Sequence, residues 1–444
     1  MPNVNFIIQF QSISKGEKMK LSRNAKNALM LGTLCSVAYF AVYIARNILS
    51  TVTPQLIAAG FSEEDYIAPL SSLYLIFYAV GQLINGAIGD KIKARWMLSM
   101  GLLGAGLTNI LFIFIAESTH NRGDFTTVIA MLAYALTGFF LSMIYGPMTK
   151  VVSENTEPIH AVRCSVGYTF ASLFGSPAAG ILATFLVWQN VFAVSSFALF
   201  AMALACFVLI LIFEKRGIVK YGQIKPDKKQ GGSIKLLFKH HIVKFSLVAI
   251  LTGIVRTSVV FWLPTYILQQ LKYSEEQSTT IFSIATFIIS FTAIIAVFIY
   301  ERLKRNVNVS LLLMFGASVI FFLLTYFTAT PSNDVLRILN LVCIVLAIMS
   351  ANGASSMLWS VYCPSLKETG VVSGATGFLD FLSYTGAAIA NIVFANAAKD
   401  IGWGNLILVW MGLMIVGVII SLPFFKSWTD PNQIANNKSK PAEE

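Results

Sequence analysis

The sequence predicts an all-α membrane protein with about twelve transmembrane helices in two related halves of six, and three observations carry that expectation. Of 444 residues, 56% are hydrophobic and only 12% charged, with a mean hydropathy of +0.72, a balance no ordinary soluble domain shows. Windows of ~20 apolar residues, enough for a helix to cross a bilayer, recur about a dozen times, with no strand-like alternation to compete with them. The chain also repeats itself. Arg46 and Arg256 each lie inside an apolar run, and each is followed eight places later by a proline, Pro54 and Pro264. Next come Phe61-Ser62-Glu63-Glu64 and Tyr273-Ser274-Glu275-Glu276, then Asp90-Lys91 with Arg95 and Glu301-Arg302 with Arg305, at an offset near 210 throughout. Repetition on that scale implies two halves about a pseudo-two-fold axis along the membrane normal, with a site between them near the midplane.

In chain order, residues 1–27 form an N-terminal tail. Its one apolar patch, Phe6 to Phe10, is too short for a signal-peptide core, and Met19 offers a second start. The N-terminal half, 28–213, holds spans at 28–50, 68–89, 97–116, 126–148, 164–187 and 191–213. A lysine-rich linker, 214–244, contains Gly231-Gly232-Ser233 and ends in SIKLLFKHHIVKF, which reads as an amphipathic surface helix. The C-terminal half, 245–425, holds spans at 245–268, 279–300, 310–329, 336–360, 371–397 and 405–425, and a polar tail, 426–444, follows.

The net charge of +11 does not point to nucleic acid, because the basic residues cluster in alternate loops. Lys15 to Lys26, Lys91 to Arg95 and the linker carry most of them, and the opposite loops hold only Arg122, Lys272, Arg337 and Lys399. The positive-inside rule then places both termini and the linker in the cytoplasm of a cell bearing this multi-pass protein in its inner or plasma membrane.

The spans differ in character. An arginine at mid-helix costs ~2.5–3.5 kcal/mol on insertion scales, so Arg46 and Arg256 are expected to face an internal cavity and an anion. Tyr39 and Tyr43 share the helical face of Arg46. The second span carries Tyr74, Tyr78, Gln82 and Asn85, the fifth Ser165, Thr169, Ser172 and Ser176, and the eleventh Asp380, Tyr384 and Asn391. Such stripes line cavities or make helix contacts. Gly81, Gly86 and Gly89, and Gly370, Gly374 and Gly377, permit close helix approach. The sixth span is almost wholly apolar and should face lipid.

Guanidinium presents a planar fork matched to phosphate or carboxylate oxygens. Two such forks, one from each half, suit one small dianion, and their mutual repulsion when empty favours exchange over uniport. Asp380 is the one carboxylate deep in a span and reads as a counter-charge, a ligand or a proton carrier. The five cysteines are scattered and mostly within spans, so no disulfide framework or metal site is expected. The four histidines fall in loops or at span edges, and no nucleotide loop or catalytic constellation is visible, so neither a cofactor nor an enzyme is expected.

GAIGDKIKAR, Gly86 to Arg95, resembles the loop signature of the major facilitator superfamily, with Lys93 where that pattern usually has glycine. Its Gly86, Asp90, Lys91 and Arg95 would then form a charge clasp remade as the halves rock. YIARN, STVTPQLIAAGFSEED, RTSVVFWLPTY and GATGFLDFLSYTGA resemble stretches of the organophosphate:phosphate antiporter family, whose members include glycerol-3-phosphate and hexose phosphate exchangers as well as receptors. That resemblance implies the major facilitator fold and a phosphate grip by Arg46 and Arg256. Tyr39, Tyr43, Tyr78, Gln82, Asp380 and Tyr384 complete the expected binding set. The chain departs from the family at Asn47 and Gln82, where lysines occur in some members, and in lacking a fifth-span histidine. The expected function is exchange of an organic phosphate for inorganic phosphate by a monomer. The alternatives are a proton-coupled carboxylate or sugar-acid symporter and a non-transporting sensor of phosphorylated ligands.

Overall fold

The computed structural model describes residues 22–61, 66–119, 124–222 and 232–422, and every regular element among them is helical. The terminal tails, the Ser62-Glu63-Glu64 repeat and linker residues 223–231, Gly231 included, lie outside the described residues, as do the side chains of Ser172, Ser176, Glu275, Glu276 and Asn391.

Among the described residues nine helices are long and apolar enough to cross a membrane, and the bent pair Ile242–Thr257 and Trp262–Gln269, at 49°, makes a tenth crossing. Two further helices, Pro158–Phe185 and Val372–Asp400, have the length, 28 and 29 residues, and carry the polar stripes anticipated for spans 5 and 11. Helices that face the interior of a bundle need no apolar exterior all round. In order, spans 1 to 3 are Arg23–Ala58, Ala68–Gly89 and Ala94–Thr119. Span 4 is Asp124–Leu141 with Tyr145–Asn155, span 5 is Pro158–Phe185 and span 6 is Trp188–Lys215. After a short helix, Gly232–Lys239, span 7 runs Ile242–Gly253, Ile254–Val259 and Val260–Gln269. Span 8 is Glu275–Ser290 with Thr292–Arg302, and span 9 is Val307–Phe327. Span 10 is Asp334–Ser356 with Met357–Tyr362, span 11 is Val372–Asp400 and span 12 is Gly402–Ser421.

The helix ends follow local chemistry more than hydropathy. Span 1 begins at Arg23 rather than 28 because Ser22 caps it, accepting from the Ala25 amide at 3.1 Å, and it continues through Pro54 to Ala58. Span 4 is broken at 142–144, since the Pro147 ring excludes the helical bond to residue 143 and supplies no N–H. Ser274 and Gln277 form a reciprocal capping box at the start of span 8, and Asn306 and Asn333 cap spans 9 and 10. Spans 7 and 10 each contain a π-turn, Ile254–Val259 and Met357–Tyr362, a local widening common at functional sites.

Within the first half, span 1 packs chiefly on span 5 and span 3 on spans 4 and 6; in the second, span 9 packs on spans 10 and 12 and span 7 on span 11. Phe197 and Leu204 of the apolar sixth span are 65% and 67% exposed, as a lipid-facing helix requires. The halves meet through spans 2 and 4 against span 11 and span 5 against spans 8 and 10. The closest approach is between spans 2 and 11. A Cβ on Gly377 would lie 2.1 Å from the Gln82 carbonyl oxygen, and one on Gly86 2.9 Å from that of Ser373, so only glycine lets these backbones touch.

Candidate functional site

Span 1 is a regular helix at Arg46, so Tyr43 and Arg46 stand one turn apart on the same face. Span 7 instead delivers Arg256 from the middle of its π-turn. The two arginines, one from each half, converge on Tyr384 of span 11. Arg46 Nη2 donates a short hydrogen bond to Tyr384 Oη. Its guanidinium carbon also lies 4.7 Å from the Tyr78 ring centre, 5.0 Å from that of Tyr384 and 5.4 Å from that of Tyr43. Arg256 sits 5.6 Å from the Tyr384 ring and 5.8 Å from the Trp359 ring. Stacking on aromatic faces holds a guanidinium without consuming its in-plane donors.

Asp380, one turn before Tyr384, is buried, and its Oδ1 lies 4.0 Å from Arg256 Nη2. That is an ion pair but too long for a hydrogen bond, and Nη2 is buried without a hydrogen-bonding partner. The cluster thus holds two cations, one anion and a guanidinium donor with no hydrogen-bonding acceptor among the described residues.

The predicted residues divide into two groups. Arg46, Tyr43, Tyr78, Arg256, Asp380 and Tyr384 come together. Tyr39 packs one layer back, its ring meeting those of Tyr43, Tyr145 and Tyr168 at 5.0, 5.5 and 6.0 Å. Gln82 lies at the span 2 and span 11 contact, buried, with its Nε2 unpartnered. Asn85 donates to Phe139 O and Ser142 Oγ, binding span 2 to span 4. The sequence reading missed Trp359 and Tyr145, whose rings are 5.9 Å apart across the two halves. Tyr145 follows the Pro147-induced break, so a proline near the end of an apolar span was its available signal.

A profile of the Major Facilitator Superfamily matches residues 35–390. The chain belongs to that superfamily. It is 21% identical over 405 residues to the glycerol-3-phosphate transporter of Bacillus subtilis (strain 168), covering 86% of this chain and 89% of that one. It is 23% identical over 409 residues to the phosphoglycerate transporter protein of Salmonella typhimurium, covering 83% and 82%. Over 78 residues, 18% of each chain, it is 31% identical to the membrane sensor protein UhpC of Escherichia coli (strain K12). Among solved structures, the superfamily transporter FucP in the outward conformation superposes with a TM-score of 0.70 at 14% identity, covering 91% of this chain and all of that one. The fold is therefore that of a multi-pass membrane transporter, and its relatives lie among carriers named for phosphate esters.

The charged residues of the superfamily signature loop after span 2 find their partners outside the loop. Asp90 reaches instead across the halves, accepting from the amides of Ser373 at 2.9 Å and Gly374 at 2.8 Å at the start of span 11. A carboxylate there satisfies orphan N–H groups and the positive end of the helix dipole. Lys150 of span 4, 3.6 Å away, is its cationic partner, and burial pushes the Asp90 carboxyl above the usual range while those amides and Lys150 pull it back. Arg95 pairs with Glu214 at the end of span 6, and Lys91 is exposed. The repeat partner of Asp90, Glu301, also crosses, reaching Arg163 of span 5 at 3.9 Å. These links all lie on the linker side of the bundle.

Proposed function

We propose that this transporter exchanges an organic phosphate ester for inorganic phosphate by alternating access, moving a bound dianion without chemical change. The observation that carries the reading is the convergence of Arg46 and Arg256, from opposite halves, on Tyr384, with Arg256 Nη2 left without an acceptor. A phosphoryl group supplies several acceptor oxygens, and two guanidinium forks with one carboxylate leave a net positive site for it. Coverage of more than four fifths of two phosphate-ester carriers supports the same substrate class. With the lysine-rich linker and both termini in the cytoplasm of a plasma-membrane protein, the contacts of Asp90 with Ser373 and Gly374 close the cytoplasmic side.

The test is counterflow of labelled phosphate into proteoliposomes preloaded with unlabelled phosphate. Rapid trans-stimulated uptake that is lost without internal phosphate is expected; uptake indifferent to internal phosphate refutes exchange. The local 31% identity to UhpC favours a second reading, a sensor of the same ligands. A sensor binds phosphate esters to the purified chain yet gives no counterflow at all.

A further inference from the structure

We propose that the linker-side corner between spans 7 and 12 binds an anionic phospholipid, its headgroup on Lys244 and one acyl chain along the outside of span 7. A cavity of about 210 Å³ opens there, lined by Phe238, His241, Val243, Lys244, Leu247 and Ile420. It is thus framed by the short helix Gly232–Lys239, the first turns of span 7 and the last turn of span 12.

The corner has an apolar and a cationic part. Val243 and Leu247, four residues apart, share one face of span 7 about 6 Å apart along its axis and are 57% and 44% exposed. With Ile420 of span 12, which also lines the cavity, they form an apolar track. At the mouth the Lys244 ammonium donates to Asn308 Oδ1 at 2.6 Å. That bond fixes its position and leaves two of its three N–H donors for a ligand. His241 stands beside it, and Lys235 and Lys239, one turn apart on the short helix, are exposed above. Glu368 acts electrostatically on the neighbouring His240. Phe238, 61% exposed, is an aromatic at the height where a bilayer presents its headgroups.

An ordinary acyl chain needs no fixed cation, and a soluble anion needs no exposed apolar track. The combination fits one class of ligand that brings a phosphate and a hydrocarbon chain together, and basic pockets between spans on the cytoplasmic side are suited to it. The inference does not depend on which anion the carrier moves.

The test uses the purified full chain in detergent, titrated with phosphatidylglycerol or with zwitterionic phosphatidylethanolamine and read by native mass spectrometry. Wild type is expected to retain one phosphatidylglycerol in preference to phosphatidylethanolamine. Lys244→Gln, which keeps a donor for Asn308 but no charge, should weaken retention about fivefold, the loss expected for one lysine at a charged leaflet. Leu247→Trp, which fills the track, should weaken retention of phosphatidylglycerol independently, so that either variant suffices if the other does not fold. Lys215→Gln, a linker-side charge outside the corner, should retain lipid as wild type does. Equal retention of both lipids by wild type, or of phosphatidylglycerol by all three variants, overturns the proposal.

Discussion

Replacing Gly377 by alanine should unlatch the linker side of the transporter. The added Cβ would sit 2.1 Å from the Gln82 carbonyl oxygen and 3.0 Å from the Gly86 Cα, all of it backbone with no rotamer to yield. Ordinary contact begins near 3.4 Å, so spans 2 and 11 must separate by about 1.3 Å. Overpacking of this kind costs about 1–3 kcal/mol, and it is charged only to the closed arrangement, because halves that have swung apart on this side no longer touch there. The ratio of closed to open forms should therefore fall by about 5- to 150-fold. Spin labels at Arg163 and Glu301, whose side chains approach to 3.9 Å across the halves, report the change as a second, longer distance in Gly377→Ala. Little is lost by removing that exposed pair. Gly316→Ala is the control, since a Cβ there meets nothing within 4 Å. A distance distribution identical in the two variants would refute the reasoning.

Arg46→Lys and Arg256→Lys should each lower counterflow at least tenfold with the charge retained, because an ammonium cannot present the planar fork, and lost charge-assisted bonds are worth about 1.5–3 kcal/mol each; near-normal exchange by either would remove the clamp. Asp90→Asn leaves one acceptor where two amides, Ser373 and Gly374, now donate, and it ends the attraction to Lys150, so the label pair should again show the open form. Asp380→Asn raises the charge of the cluster and should change anion affinity or preference while leaving any response to a pH gradient untouched; gradient-driven accumulation lost in this variant alone would instead favour proton symport. A cysteine at Lys215 should react only with reagent admitted to the cytoplasm and one at Asp334 only from outside, and the reverse labelling would invert the orientation.

The fold was legible because a bilayer leaves few options: long apolar runs must be helices, and a repeat offset near 210 must be two related halves. The arginines were legible for the same reason, since a charge in such a run demands an explanation. What hydropathy could not show is where helices bend. The break at 142–144 and the π-turns at Ile254–Val259 and Met357–Tyr362 carry Tyr145, Arg256 and Trp359 into place, and they depend on proline and packing, not on the apolar pattern. The partners of the loop signature were hidden for a different reason. Asp90, Lys91 and Arg95 are neighbours in sequence, yet each side chain follows its own strongest attraction: Asp90 to a helix N-terminus in the other half, Arg95 to Glu214, Lys91 to water. Proximity along the chain does not rank these choices.

Two stripes that were visible in the sequence as separate features turn out to be one device. Tyr74, Tyr78, Gln82 and Gly86 fall four apart on span 2, and Gly374, Gly377, Asp380 and Tyr384 fall three or four apart on span 11, so each set lines one face of its helix. The faces oppose each other. Tyr78 meets the Tyr384 ring at 5.3 Å, the Gln82 carbonyl fits against Gly377, Gly86 fits against Ser373 and Gly377, and Asp90 caps Ser373 and Gly374. Along span 11 the aromatic and charged end and the glycine end are ten residues apart, about 15 Å of unbroken helix. A helix that stiff cannot be drawn inward at Tyr384 and Asp380 while its other end stays against span 2, unless the whole span tilts about the contact. An anion that pulls Arg46 and Arg256 together would therefore strain the Gly377 and Asp90 contacts from a distance, with no contact of its own there. That lever supports coupling of binding to opening, and it explains why the glycines, which touch no ligand, stand in register with the residues proposed to hold one.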